Sequence, residues 1–92
     1  MESEFLDEDQ IIKDLIKKIN EEEDVKERWL GLNKSQLIRL HPTTGQKIRN
    51  QYRLWDKENP YTQSDTKHKN FPDAMSQRII EKVWRQLQDD IR

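Results

Sequence analysis

Cysteine is absent from the 92 residues, which removes disulfide frameworks, thiolate nucleophiles and cysteine-bound metal together. Glycine is almost absent, with only Gly31 and Gly45. That leaves no glycine-rich phosphate cradle and no dinucleotide-binding fingerprint. Histidine is limited to His41 and His68, spaced like no zinc motif and without a Ser-His-Asp arrangement around a nucleophile elbow. No stretch approaches the ~18 apolar residues of a membrane span. The start, MESEFLDEDQ, lacks the basic residues and apolar run of a secretory signal. A cytoplasmic non-enzyme without metal or cofactor is expected.

What is present is charge, at 38 % of residues, over a thin apolar inventory. Leu, Ile, Val and Phe make up 21 of 92 residues, just above the roughly 20 % below which disorder is the better expectation. Three tryptophans add large apolar surfaces. The net charge of −1 conceals a strong segregation: residues 1–24 carry ten acids against three lysines, and residues 25–57 carry eight bases against two acids. Two readings follow. Either the acidic first helix lies across the basic middle and the charges answer one another, or the middle presents a basic binding face.

The periodicities are helical throughout, so an all-α fold is expected: a small single-domain bundle of about four helices, with a long polar loop before the last. Residues 1–6 are expected to be a flexible N-terminus and residues 7–92 the domain. Ile11, Ile12, Leu15, Ile16 and Ile19 form one stripe on a helix over about 7–20, capped by Asp7 or Asp9. A short helix over 25–30 places Val25 and Trp29 on one face and stops at Gly31. Asn33 caps a segment holding Leu37 and Leu40. His41-Pro42 is expected to interrupt it, since proline disfavours the α region in the residue before it. Thr43 with Gln46 reads as a capping box for a new helix over 43–55, presenting Ile48, Tyr52 and Trp55. Residues 56–70 hold one aromatic and no aliphatic side chain, the composition of a solvated loop. The last helix repeats Met75, Ile79, Val83, Leu87 and Ile91 every fourth residue, widened by Ile80 and Trp84. Trp29, Trp55 and Trp84 are expected to seed one core.

Two stretches carry a resemblance. Residues 40–55 fit the pattern L-H-x-x-x-G-x-x-I-R-N-x-(aromatic)-x-L-W. Residues 71–87 fit P-D-x-x-S-x-x-I-I-x-x-x-W-x-x-L, preceded by Phe71 where the pattern usually has histidine. Together they resemble an uncharacterised family of small bacterial and phage proteins, a domain of unknown function. Pro42 is a second departure, standing where a bulky residue is common. The resemblance implies a helical domain with a polar cluster between two helices, made of His41, Arg49, Asn50, Asp73 and Ser76, and it implies no known activity.

That cluster has two readings. As a site, Arg49 is a planar donor fork for an anion or peptide, oriented by Asn50 and Ser76 and aided by the N-terminus of the last helix. As architecture, Arg49 and Asp73 lock two helices together, Asn50 satisfies loop backbone and Ser76 bonds within the first turn. His41 reads more simply as a hydrogen-bonding residue at a helix end.

Three functions fit these residues. The first is a protein-interaction module, such as a small regulator or inhibitor, touching its partner through the acidic first segment or the 56–70 loop. The second is nucleic-acid binding, with Lys34, Arg39, Lys47, Arg49 and Arg53 on phosphates and Tyr52 stacking. The third is a small-anion pocket around Arg49 and Asp73. Monomer and homodimer both remain open.

Overall fold

Residues 5–63, 67–68 and 70–90 are described by the computed structural model. Its elements are α1 (Glu8–Glu21), α2 (Glu23–Leu30), α3 (Lys34–Leu37), α4 (Gln46–Gln51) and α5 (Pro72–Asp90), with a 3₁₀ turn at Ile38–Leu40 and a π turn at His41–Gly45. Among the described residues there is no strand, and no helix is long and apolar enough to cross a membrane. The expected all-α architecture is the one observed.

Asp7 opens α1 with a reciprocal cap: its carboxylate accepts from Gln10 N–H at 2.8 Å, and its own N–H donates to Gln10 Oε1 at 2.9 Å. Two orphan donors are thereby satisfied. The acidic run ends α1 and also starts α2, because Glu22 is extended (φ −124°) between them. Gly31 stops α2 without entering the left-handed region, at φ −80°. Asn33 and Gln36 repeat the reciprocal cap at α3. Of the expected flexible segment, Leu6 packs against the core and the Arg53 guanidinium lies over the Phe5 ring, while residues 1–4 lie outside the described residues.

The expected break at His41-Pro42 does not occur. His41 stays helical (φ −54°, ψ −49°), and the chain runs from Lys34 to Gln51 through the 3₁₀ and π turns. Pro42 has no N–H to give and its ring crowds the carbonyl four residues back, so the helix passes it by loosening its pitch. No capping box forms at Thr43, whose hydroxyl instead reaches Leu40 O at 3.5 Å.

The following helix is also shorter than its stripe suggests. It ends at Gln51 in a Schellman closure: Leu54 N–H bonds Arg49 O at 2.9 Å and Arg53 N–H bonds Asn50 O at 3.4 Å. Arg53 takes the left-handed position usually given to glycine, at φ 55°. The chain reverses there, so Leu54 enters the core and Trp55 leaves it. Trp55 is 51 % exposed, which corrects its expected place among the core tryptophans. The segment after it is tied down by a buried asparagine: Asn59 Nδ2 donates to Arg53 O at 3.1 Å, and Asn59 Oδ1 accepts from Tyr61 N–H at 2.9 Å.

α5 is the spine. Met75, Ile79, Ile80, Val83 and Leu87 are buried, and the helix packs against each of the other four; Ile91 of the expected stripe lies outside the described residues. Ile11 and Ile19 of α1, Trp29, Leu37, Ile48, Tyr52 and Leu54 complete the core. A second row on α5 is polar. Gln77, Trp84 and Gln88 donate side-chain N–H groups to the carbonyls of Leu37, Leu32 and Leu30 at 3.2, 2.9 and 3.1 Å. These bonds satisfy backbone acceptors where α2 and α3 end.

The acids of α1 do not answer the basic middle with ion pairs among the described residues. Glu8 pairs with Arg78 and Lys82 of α5, and Asp14 with Lys18 of α1 itself. Asp14 does reach residue 52, accepting from the Tyr52 hydroxyl at 2.6 Å. Lys26, Arg28, Lys34, Arg39 and Lys47 form no ion pair among the described residues. Among the described residues, then, no ion pair joins α1 to the basic middle; Glu8 and Asp14 pair elsewhere.

Candidate functional site

The two family-like stretches meet where the π turn and α4 cross the first turn of α5. Arg49 lies on the inner face of α4 with its side chain only 8 % exposed. Its Nη1 donates to Ser76 Oγ at 2.9 Å and its Nη2 to His41 O at 3.3 Å. Nε lies 3.4 Å from Asp73 Oδ1, near enough for charge attraction, but its N–H is not aligned as a hydrogen bond. Ser76 in turn donates to Asp73 O at 3.0 Å. The guanidinium thus joins the π turn, α4 and α5 through three separate partners.

Gly45 makes room for this. A Cβ there would stand 3.0 Å from Arg49 Nη1 and 3.5 Å from Leu40 O. The glycine four residues before the arginine therefore marks a close approach rather than a flexible turn. His41 Nε2 lies 4.0 Å from Asp73 Oδ2, with both side chains about 40 % exposed at 40 % and 42 %. Of the five residues that the resemblance implied, His41, Arg49, Asp73 and Ser76 come together. Asn50 does not: it is exposed on the outer side of α4, and its side chain makes no hydrogen bond among the described residues. Its expected role with loop backbone is filled by Asn59.

As an anion pocket this arrangement is poor. Two of the five guanidinium N–H groups are taken by protein acceptors, the side chain is buried, and the Asp73 carboxylate beside Nε repels a second anion. No cavity opens onto the guanidinium among those found on the described residues. Nor does any group of three or more His, Asp or Glu side chains converge there to hold a metal ion. The phosphate contacts imagined for the basic middle are thinned as well. Arg49 is buried, Arg53 pairs with Asp56, and Tyr52 is buried with its hydroxyl on Asp14. Burial and that bond raise the Tyr52 phenol well above its usual range.

A second surface escaped the sequence. Trp55 and Phe71 meet edge to face, ring centres 5.5 Å apart and planes at 86°, a geometry that aligns one ring's positive edge with the other's negative face. They line an open cleft of about 440 Å³ with Leu54, Pro72, Thr62 and Lys57. Helical spacing put Trp55 in the core, and only the left-handed turn at Arg53 takes it out. Phe71 supplies the other wall.

Known proteins add one finding. The family model described as "Domain of unknown function (DUF6794)" matches residues 7–87. No curated protein and no solved structure matches the chain.

Proposed function

We propose that this chain, which belongs to the domain-of-unknown-function family DUF6794 and inherits no activity from it, is a non-enzymatic protein-interaction module. It acts in the cytoplasm as a small regulator or inhibitor, and the cluster around Arg49 is its internal lock.

The observation that carries this reading is Trp55, 51 % exposed beside Phe71 on an open cleft. A large aromatic side chain offers on the order of 200 Å² to bury. Leaving half of it in water forgoes on the order of 2–3 kcal/mol at about 25 cal/mol per Å². A partner that covers the ring recovers that energy, and tryptophan is the residue type most often dominant in protein interfaces. One flank of the cleft is formed by Asp56, Lys57, Thr62 and Gln63, part of the 56–70 loop that sequence composition suggested as a contact.

The test is affinity capture from the native host with wild type and Trp55→Ala in parallel, after circular dichroism has shown both to be folded. A discrete protein retained by the wild type and lost with Trp55→Ala supports the reading. Equal recovery by both removes Trp55 from the interface. Recovery of nucleic acid alone, or of nothing, ends the interaction-module reading.

A further inference from the structure

A different face, sharing no residue with the Trp55 cleft, holds a groove of about 640 Å³. It runs between α2 and the helical stretch that begins at α3. Val25, Trp29, Leu32 and Leu40 contribute its apolar floor, and Arg28 and Lys47 stand on its rim with Glu27 as the one acid. Both rim cations lack an ion-pair partner among the described residues, as do the neighbouring Lys26, Lys34 and Arg39.

Several cations elsewhere are paired. On α5, Arg78 and Lys82 share Glu8, and Arg85 has Glu81. Lys18 has Asp14 and Arg53 has Asp56. Lys13, Lys17 and Lys57 are likewise without an ion pair among the described residues. The groove that Lys13 and Lys17 line also holds Asp9 and Asp90, whereas here two unpaired cations stand with a single acid beside half-covered apolar side chains.

The geometry points to this groove as a docking site for an acidic amphipathic helix of a partner protein, its apolar stripe on Val25, Leu32 and Leu40 and its carboxylates on Arg28 and Lys47. A helix laid in a groove is held by anchors at successive turns, and charge on the rim sets partner choice and register. A nucleic acid fits less well. The floor is aliphatic, Trp29 is buried rather than presented for stacking, and single-strand binders need exposed rings beside their cations. The inference does not depend on Trp55, and either surface can fail alone.

The experiment uses the full chain, isotope-labelled for NMR, and four fluorescent probes. These are a synthetic helical peptide of about four turns with leucine on one face and glutamate on the other, a scramble of equal composition without the apolar stripe, a lysine-for-glutamate version, and a single-stranded oligonucleotide. The acidic amphipathic peptide is expected to shift the backbone signals of Val25, Arg28, Leu32, Leu40 and Lys47 and to bind more tightly than the scramble. The doubly reversed variant R28E/K47E, both positions being exposed, should lose at least about tenfold in affinity for it and gain affinity for the lysine version. Arg28→Gln and Lys47→Gln give the same direction should the double reversal unfold. Equal binding of peptide and scramble, shifts elsewhere on the molecule, or preference for the oligonucleotide would each overturn the assignment. Trp55→Ala should bind the peptide as the wild type does, which separates this site from the aromatic cleft.

Discussion

Replacing Gly45 by alanine should change sign with the residue at position 49. Gly45 is helical, at φ −59° and ψ −43°, so alanine alone would stabilise the chain by up to about 1 kcal/mol through helix propensity and a less disordered unfolded state. Against this, the new Cβ would sit 3.0 Å from Arg49 Nη1, and the guanidinium must yield by a few tenths of an ångström. It is held by Ser76 Oγ at 2.9 Å, His41 O at 3.3 Å and the Asp73 charge. A hydrogen bond from a charged donor contributes roughly 1.5–3 kcal/mol, so misaligning one of them outweighs the propensity gain. A net loss of about 1 kcal/mol is expected for Gly45→Ala. Arg49→Ala should cost about 3 kcal/mol, at the low end for a broken buried pair, because the abandoned Asp73 carboxylate is 42 % exposed and can rehydrate. In the Arg49→Ala background the contact disappears, and Gly45→Ala should then stabilise by about 1 kcal/mol, a coupling of roughly 2 kcal/mol. Urea unfolding followed by far-UV circular dichroism, with unchanged slopes, measures all four corners of the cycle. An effect of Gly45→Ala that is the same in both backgrounds would refute the lock.

The α5 polar row predicts that Trp84→Phe, which keeps the bulk but loses the bond to Leu32 O at 2.9 Å, costs about 1–2 kcal/mol in the same assay; no loss would mean water replaces the indole. Burial tends to raise the Glu8 carboxyl, but its bonds from Arg78 and Lys82 outweigh that and hold it below the ordinary 4.5. Its contribution is therefore full above about pH 4.5 and lost as pH falls through the lowered value, and Glu8→Gln should flatten the acid limb of a stability–pH curve. Tyr52 behaves oppositely, raised by burial and by Asp14 above its ordinary 10.0, so its contribution is present below pH 10 and declines above it. Tyr52→Phe should remove that alkaline slope. Trp55→Ala should lower stability by about 2–3 kcal/mol in urea unfolding, the share of the covered half of the ring; a larger loss would mean that the ring belongs to the core.

Sequence patterns revealed most of the frame. The stripes Ile11–Ile19 and Met75–Leu87 specify α1 and α5 because amphipathic periodicity is local and long helices average over exceptions. The cap at Asn33 is legible for the same reason, and the sequence narrows the first cap to Asp7 or Asp9, of which Asp7 has Gln10 three residues on to close the box. What stayed hidden depends on backbone choices without a residue signature. Arg53 occupies a left-handed position that glycine would have announced, and it alone decides whether Trp55 is core or surface. Pro42 normally announces a boundary, yet surrounding packing carries a helix past it. The polar cluster was legible except at Asn50, since a helical residue next to a buried one faces outward unless a contact draws it back. Charge was the least legible property. The tally of each segment was correct, but ion pairs follow tertiary neighbours, and Glu8 found its cations on α5.

The α5 polar row bears on when the protein can fold at all. The carbonyls of Leu37, Leu32 and Leu30 wait for side chains 40, 52 and 58 residues downstream. A nascent chain that has emerged only as far as α4 carries those acceptors, and the apolar faces beside them, with nothing to close on. Such a chain can form transient helices but no settled interior. Folding is therefore expected after synthesis has passed α5, in a single late step. Until α5 has emerged, the polypeptide exposes apolar faces that chaperones can recognise.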